Sequence, residues 1–429
     1  MGRITKCSGG TKAHEAAEGI PCVRYGDLYT YHGSSITDTR SFVSPEYSGN
    51  YSRIRYGDVL FAASGETMEE IGKSSVNLLG GETLCGGDVI LLRPTIPVSA
   101  RFLGYATNAP YVVHQKSRLG RGMTVMHIYG KQLKNVAMLL PPVLEQRSIA
   151  DFLDVETTTI DALVIQQERL LDLLHEKRTA LISHVVTKGL DPDIPKKDSG
   201  VDWLGRIPAH WEVQRLGAIG RIRKCSGGTK AHEVAEGIPC VRYGDLYTYH
   251  GFSITETRSS VSPEHSGSYS RIRYGDLLFA ASGETIEEIG KSSVNLLGGE
   301  ALCGGDVILL RPTIPVSARF LGYATNAPYV VHQKSGLGRG MTVMHIYGKQ
   351  LRDAALLLPP VTEQRALANF IELETSKIDC LTEEIRGGIG RLKEYRTALI
   401  SAAVTGKIDV RGESASAEES ECSNAEACA

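Results

Sequence analysis

The sequence lacks the marks of several protein classes. No apolar run reaches the length needed to cross a bilayer. The amino end, Met1-Gly2-Arg3-Ile4-Thr5-Lys6, has no apolar stretch of the kind a secretory signal needs. A cytoplasmic protein without a membrane partner is therefore expected. Nine cysteines are present, but none forms a C-x-x-C pair and no Cys/His cluster has zinc spacing. Six of them are three positions seen twice, Cys7/Cys225, Cys22/Cys240 and Cys85/Cys303, and they read as reduced thiols with no bound metal. The only two tryptophans, Trp203 and Trp211, share one central stretch. Strong charge of one sign is also missing, with a formal net charge of −2. The distribution is uneven, however. Asp409 to Ala429 carries −5, which leaves +3 on the rest, a balance that fits a DNA partner without demanding one.

Catalytic signatures are missing too. Ser8-Gly-Gly-Thr-Lys12 lacks the spacing of a phosphate-binding loop. Gly120-Arg-Gly122 reads as a turn. No H-E-x-x-H, G-x-S-x-G or methyl-donor-binding pattern occurs. Asp58, Glu66 and Lys73 do not have metal-nuclease spacing and read as turn caps or surface groups. The chain is expected to be non-catalytic and to carry no cofactor.

What the sequence does have is a repeat. Lys6-Cys-Ser-Gly-Gly-Thr-Lys12 returns as Lys224–Lys230, an offset of 218. From Lys6 to Val143 only 14 of 138 positions differ at that offset. The sharpest changes are Ser34/Phe252, Phe42/Ser260, Tyr47/His265 and Arg118/Gly336. Similarity then falls, but the offset persists: Arg178-Thr-Ala-Leu-Ile-Ser183 matches Arg396–Ser401.

After Pro141-Pro142, which cannot continue a helix, residues 144–188 contain no Gly or Pro. Ile149, Leu153, Ile160, Leu163, Leu170, Leu174, Leu181 and Val185 recur at helical spacing, which predicts one long amphipathic helix. The second copy predicts another over 362–405, with a weak point at Gly387, Gly388 and Gly390. Neither helix can bury its stripe alone, so the two are expected to pack on each other as an antiparallel pair with approximate two-fold symmetry.

The globular copies read as strand-rich α/β. Ile20–Tyr25, Asp58–Ala63, Asp88–Arg93 and Thr124–Tyr129 are short β-like runs, and Ser99–Ala106 reads as a short helix. Before the second copy, Trp211-x-Val213-x-x-Leu216-Gly217 reads as a lead-in strand. Nothing precedes Met1-Gly2-Arg3-Ile4 that matches it, so the first domain is expected to lack that strand.

The binding candidates interleave cations with aromatics, groups suited to phosphates, sugars and base edges. In the first copy they are Lys12, Arg24, Tyr25, Tyr29, Tyr31 and His32, with Lys116, Arg118 and Arg121 in an expected flexible loop. In the second copy they are Lys230, Arg242, Tyr243, Tyr247, Tyr249, His250, Lys334 and Arg339.

Taken in order, these features resemble the specificity subunits of type I restriction–modification systems. The resemblance rests on Leu140-Pro-Pro-Val-Leu-Glu145-Gln146 and Leu358-Pro-Pro-Val-Thr-Glu363-Gln364, Ile207-Pro-Ala-His-Trp211-Glu-Val, the Gly-Asp strand starts at Gly57-Asp58 and Gly275-Asp276, and Gly122 with Thr124. It covers nearly the whole chain except the acidic tail.

The fold it implies is α+β: two strand-rich α/β target-recognition domains, 1–143 and 209–361, with long helices at 144–188 and 362–405. A linker at 189–208 and a disordered acidic tail at 406–429 complete the division. The function it implies is reading a split DNA site and docking two methyltransferase subunits, with restriction/translocase subunits joining for cleavage. S-adenosylmethionine, ATP and Mg would then sit on those partners. Near-identical domains should read near-identical half-sites, which predicts a nearly palindromic target. The alternative is a duplicated coiled-coil scaffold without base readout.

Overall fold

The computed structural model describes residues 1–410, apart from 66, 68, 69, 123, 124, 202, 203, 284, 286–288 and 339–343. For Lys12 only the backbone is described. The chain divides into two compact units, Met1–Glu168 with the chain from Arg386 onward, and Arg169–Ile385. Each unit holds one globular copy, part of the long helix that follows it and part of the other long helix.

In the first unit, one five-stranded sheet has the order Gly2–Lys6, Val89–Pro94, Val59–Ala62, Ser74–Asn77, Ser35–Ile36. Its pairs are antiparallel except the last. A second sheet has the order Glu15–Ala16, Ser41–Val43, Ile20–Val23, Thr83–Cys85, Ser52–Ile54. The second unit repeats both sheets with each strand shifted by 218.

Val59–Ala62 is buried at every position, as expected for a central strand covered on both faces. The helix Ala100–Ala106 begins where the Ser99 hydroxyl accepts the Phe102 amide at 3.4 Å. The Ser-Gly-Gly motif has a packing role. A Cβ on Gly9 would lie 2.1 Å from the Gly87 nitrogen, so only glycine lets these two loops touch backbone to backbone.

Tyr25 opens a helix, Tyr25–Thr30, where a continuing strand was expected. The Asp27 carboxylate accepts the Arg24 amide and caps that start. The expected strand at Thr124–Tyr129 is confined to Met126–His127, and Thr124 lies outside the described residues.

The long helices span Val143–Lys188 and Val361–Val404. The expected weak point at Gly387, Gly388 and Gly390 is not a break, because the second helix runs through all three. In the first unit Ile149, Ala150 and Leu153 pack with Ile400, Ala403 and Val404. Further along, Asp161 pairs with Arg396 at 2.8 Å and Glu168 with Lys393 at 3.5 Å, so the segments run antiparallel. In the second unit Ile182, Val185 and Val186 pack with Leu367, Ala368 and Ile371, and Arg178 pairs with Asp379 at 3.3 Å. Arg178/Arg396 and Asp161/Asp379 are equivalent at the offset of 218, so both units make the same ion pair.

Of residues 406–410, expected from the sequence to lie in the tail, two reach the first unit's core. Val410 is buried there and Ile408 packs beside it. The rest of the expected disordered tail, 411–429, lies outside the described residues. The expected linker forms a short hairpin, Lys196–Asp198 against Arg206–Pro208. Among the described residues no helix is long and apolar enough to cross a membrane. The seven described cysteines are free thiols.

Candidate nucleic-acid interface

The short helix after Arg24, and its equivalent after Arg242, sorts the sequence candidates into exposed and buried groups. Tyr25, Tyr31, Tyr243 and Tyr249 stand on the surface. The Tyr31 hydroxyl donates to Asp38 and the Tyr249 hydroxyl to Glu256; these bonds hold the phenol protons and raise both pKa values. Arg40 and Arg258 lie over the two rings at 5.1 and 4.8 Å. Arg24 pairs with Glu15 at 2.7 Å and Arg242 with Glu233 at 2.5 Å, so neither is a free cation. Lys230, Arg242 and Tyr243 meet in one open cleft of about 560 Å³ with Gly304 and Gly305.

Several candidates are structural instead. Lys116 and Lys334 are not in a flexible loop. They lie on the helices Pro110–Ser117 and Pro328–Leu337, and each is 1% exposed. The Lys116 ammonium donates to Gly72 O at 2.6 Å and Thr107 O at 2.8 Å. Lys334 repeats this with Gly290 O and Thr325 O. Burial without a counter-charge pushes both amines down to about 7.

His32 and His250 are also buried, and desolvation lowers their pKa. The Tyr29 hydroxyl donates to Ser64 O inside the fold, and burial raises its pKa; Tyr247, its equivalent, is half-buried. Of the remaining cations, Arg118 is exposed just beyond its helix, and exposed Arg121 pairs its backbone with His127. Lys12 is described only by its backbone, and Arg339 lies outside the described residues.

Sequence patterns alone did not point to an arginine-lined groove. In the second unit Arg273, Tyr274, Arg311, Arg319 and Arg365 line a cleft of about 580 Å³. It shares Arg273, Tyr274 and Arg311 with a wider cleft of about 1060 Å³ that adds Arg223 and Arg271. Arg311 is bound to buried Asp276 at 2.5 Å, Arg319 to Glu372 at 3.1 Å and Arg271 to Glu300 at 3.1 Å. Arg223, Arg273 and Arg365 have no acidic partner among the described residues and can meet phosphate.

The signal for this groove was in the chain. In Arg271-Ile272-Arg273-Tyr274 the strand alternation buries Ile272 and turns both arginines outward. The first unit carries Arg53, Arg55, Tyr56, Arg93, Arg101 and Arg147 at the same places, but Thr5 where the second has Arg223. A second asymmetry is aromatic: His14 stacks on Tyr47 at 4.3 Å, whereas His232 stacks on His265 at 4.0 Å.

Of the three carboxylate–lysine residues considered for a nuclease set, Asp58 is buried, accepts the Arg55 amide and holds Arg93 at 2.6 Å. Lys73 donates to Tyr29 O at 3.0 Å, and Glu66 lies outside the described residues. Among the described residues no group of three or more His, Cys, Asp or Glu is placed to hold a metal.

No family model matches the chain. It is 21% identical over 394 residues to the type I restriction enzyme EcoKI specificity subunit of Escherichia coli (strain K12), covering 91% of this chain and 82% of that protein. Among solved structures, a chain from work on assembly and conformational transition of the type I R-M system matches with a TM-score of 0.64 at 18% identity, covering 94% of this chain and 97% of that one. The HsdS subunit from Thermoanaerobacter tengcongensis matches with a TM-score of 0.51 at 17% identity, covering 95% and 97%. In sequence along nine-tenths of its length, and in fold, the chain is related to the specificity subunits of type I restriction–modification systems.

Proposed function

We propose that this chain is the DNA-reading, non-catalytic subunit of a type I restriction–modification complex. Each unit reads one half of a split duplex site. The observation that carries the reading is the doubled set of exposed groups. Tyr25, Tyr31, Arg55 and Tyr56 recur as Tyr243, Tyr249, Arg273 and Tyr274, exposed in both units. A scaffold without base readout has no need to repeat its exposed cations and aromatics almost unchanged. Arginines in the groove hold phosphates and fix register, while tyrosines and lysines near the short helices meet base edges.

The long helices dock two methyltransferase subunits, and restriction/translocase subunits join the same cytoplasmic complex. S-adenosylmethionine, ATP and Mg are bound by those partners. With 124 of 138 positions shared between the copies, the two half-sites are nearly the same, and the target is close to palindromic. Differences between halves arise at Ser34/Phe252, Phe42/Ser260, Tyr47/His265 and Arg118/Gly336, and at Thr5/Arg223 in the groove.

Methylome sequencing of the host with and without this gene, partner subunits supplied, tests the reading. One gapped motif should lose methylation on deletion, with halves that are near inverted repeats. A motif with two unrelated halves overturns the palindrome, and no motif at all overturns the function.

A further inference from the structure

Each unit buries two cysteines from distant parts of the chain at the roots of two touching loops. In the first unit Cys7 follows the strand Gly2–Lys6, and its amide donates to Val89 O at 2.9 Å. Cys85 ends the strand Thr83–Cys85, where it stands opposite Ser52. Ser52 is also bonded to Ser8, the residue after Cys7. The Ser8 amide donates to Ser52 Oγ at 2.9 Å, and the Ser52 amide to Ser8 O at 3.0 Å. One serine thus brings the two cysteines together. Both side chains lie in one apolar cluster, at 4% and 0% exposure. The Cys85 thiol donates toward the Cys7 sulfur. That donation lowers the pKa of Cys7, against the rise that burial causes, and raises that of Cys85. Cys7 is therefore the sulfur that ionises first.

The second unit repeats the arrangement. Cys225 and Cys303 share one cluster, Ser270 stands opposite Cys303, and Ser226 and Ser270 are bonded in the same two ways. The Cys303 thiol again lowers the pKa of its partner, Cys225. The loops that follow the pair are in backbone contact: a Cβ on Gly227 would lie 2.1 Å from the Gly305 nitrogen. Gly228, Gly304 and Gly305 also wall the cleft that holds Lys230, Arg242 and Tyr243. The third buried cysteine of each unit, Cys22 or Cys240, lies in a separate cluster, and burial pushes its thiol up to about 12.

We propose that Cys7–Cys85 and Cys225–Cys303 are reversible disulfide sites whose oxidant is hydrogen peroxide. The Cys7 thiolate attacks one peroxide oxygen and the O–O bond breaks. Sulfur becomes a sulfenic acid, and the other oxygen leaves as water after taking a proton. The Cys85 sulfur then attacks the sulfenic sulfur. The S–S bond forms, the S–O bond breaks, and hydroxide leaves as water with the Cys85 proton. In total two thiols and one peroxide give one disulfide and two waters. A small neutral oxidant suits sulfurs this deeply buried, and a bulky disulfide does not. The bond ties together the two loops that wall the cleft, and a thiol reductant releases them.

The test treats the reduced full chain with hydrogen peroxide, digests it with trypsin and identifies the linked peptides by mass. The peptide Cys-Ser-Gly-Gly-Thr-Lys, common to both units, should be linked to Ser74–Arg101 and to Ser292–Arg319, which Thr83/Ala301 tells apart. Hydrogen exchange over 226–230 and 304–306 should slow by roughly tenfold, and dithiothreitol should reverse both effects. Cys85→Ser with Cys303→Ser should abolish the linkage, and Cys22→Ser with Cys240→Ser should leave it intact. The proposal is overturned if the folded protein forms no such link, if the link appears only after urea has unfolded the chain, or if Cys22→Ser with Cys240→Ser removes it.

Discussion

Replacing Lys116 and Lys334 with Met gives a sharp test of how the two units are built. Each amine sits in an apolar pocket, on two backbone carbonyls and over a phenylalanine ring 5.5 or 5.7 Å away. Burial lowers each from an ordinary 10.5 to about 7. The unfolded chain therefore holds a proton on each lysine between about pH 7 and pH 10.5 that the folded chain has released. Stability rises with pH wherever the unfolded state binds more protons, at most about 1.4 kcal/mol per pH unit per group. From about pH 7 to about pH 8.5, allowing for half-titration at the start, each lysine should contribute a gain of about 1.5 kcal/mol.

Urea unfolding of the wild type, both single variants and the double variant at these two pH values measures the gain. Lys→Met keeps the length of the side chain and removes the titration. The rise of each single variant should therefore fall short of the wild-type rise by about 1.5 kcal/mol, and each loss belongs to one unit. At the lower pH the variants should lie near the wild type. Relief from a buried charge there opposes about 1–3 kcal/mol for carbonyls left without a donor. Buried thiols such as Cys22, pushed up to about 12, oppose the trend at higher pH, but they cancel in the difference between wild type and variant. A double variant that keeps the full rise would refute the assignment.

Three further outcomes follow from named side chains. Arg223→Ala and Arg273→Ala should each weaken duplex binding by the assembled complex and make the salt slope shallower by about 0.9 for each phosphate no longer neutralised; an unchanged slope would remove that arginine from the interface. Gly388→Ala and Gly390→Ala meet no atom within 4 Å of the new methyl, so each should stabilise the first unit by about 1 kcal/mol in urea unfolding. A double-mutant cycle on Arg178 and Asp379, and one on Arg396 and Asp161, should give similar couplings below about 1 kcal/mol, because in each pair a half-buried arginine meets an aspartate that stays open to solvent.

Local pattern carried much of the fold. The Pro-Pro pairs and the unbroken helical spacing located Val143–Lys188, and the 218-residue offset carried every strand of one unit onto the other. Pattern failed where side-chain environment is set by distant chain. A lysine in a Gly- and Arg-rich stretch reads as a surface cation. Lys116 is buried because Gly72, 44 residues away, offers it a carbonyl. Arg24 likewise reads as free until Glu15 is placed beside it.

The sequence by itself determined the duplication, the two helices, the strand-rich copies and the expectation that both halves read similar DNA. Those properties follow from periodicity and self-comparison, which need no neighbour in space. Only the tertiary structure decided which cations are available to a ligand. Burial removed Lys116, Lys334, His32 and His250, and strand packing brought Arg223, Arg273 and Arg311 to one groove. It also decided that Ile408 and Val410 pack in the first unit's core, and that Glu212–Arg215 pairs with Ala355–Leu358 in the second. The physical reason is common to all of these: desolvation and strand pairing depend on residues tens to hundreds of positions apart, and no local pattern records them.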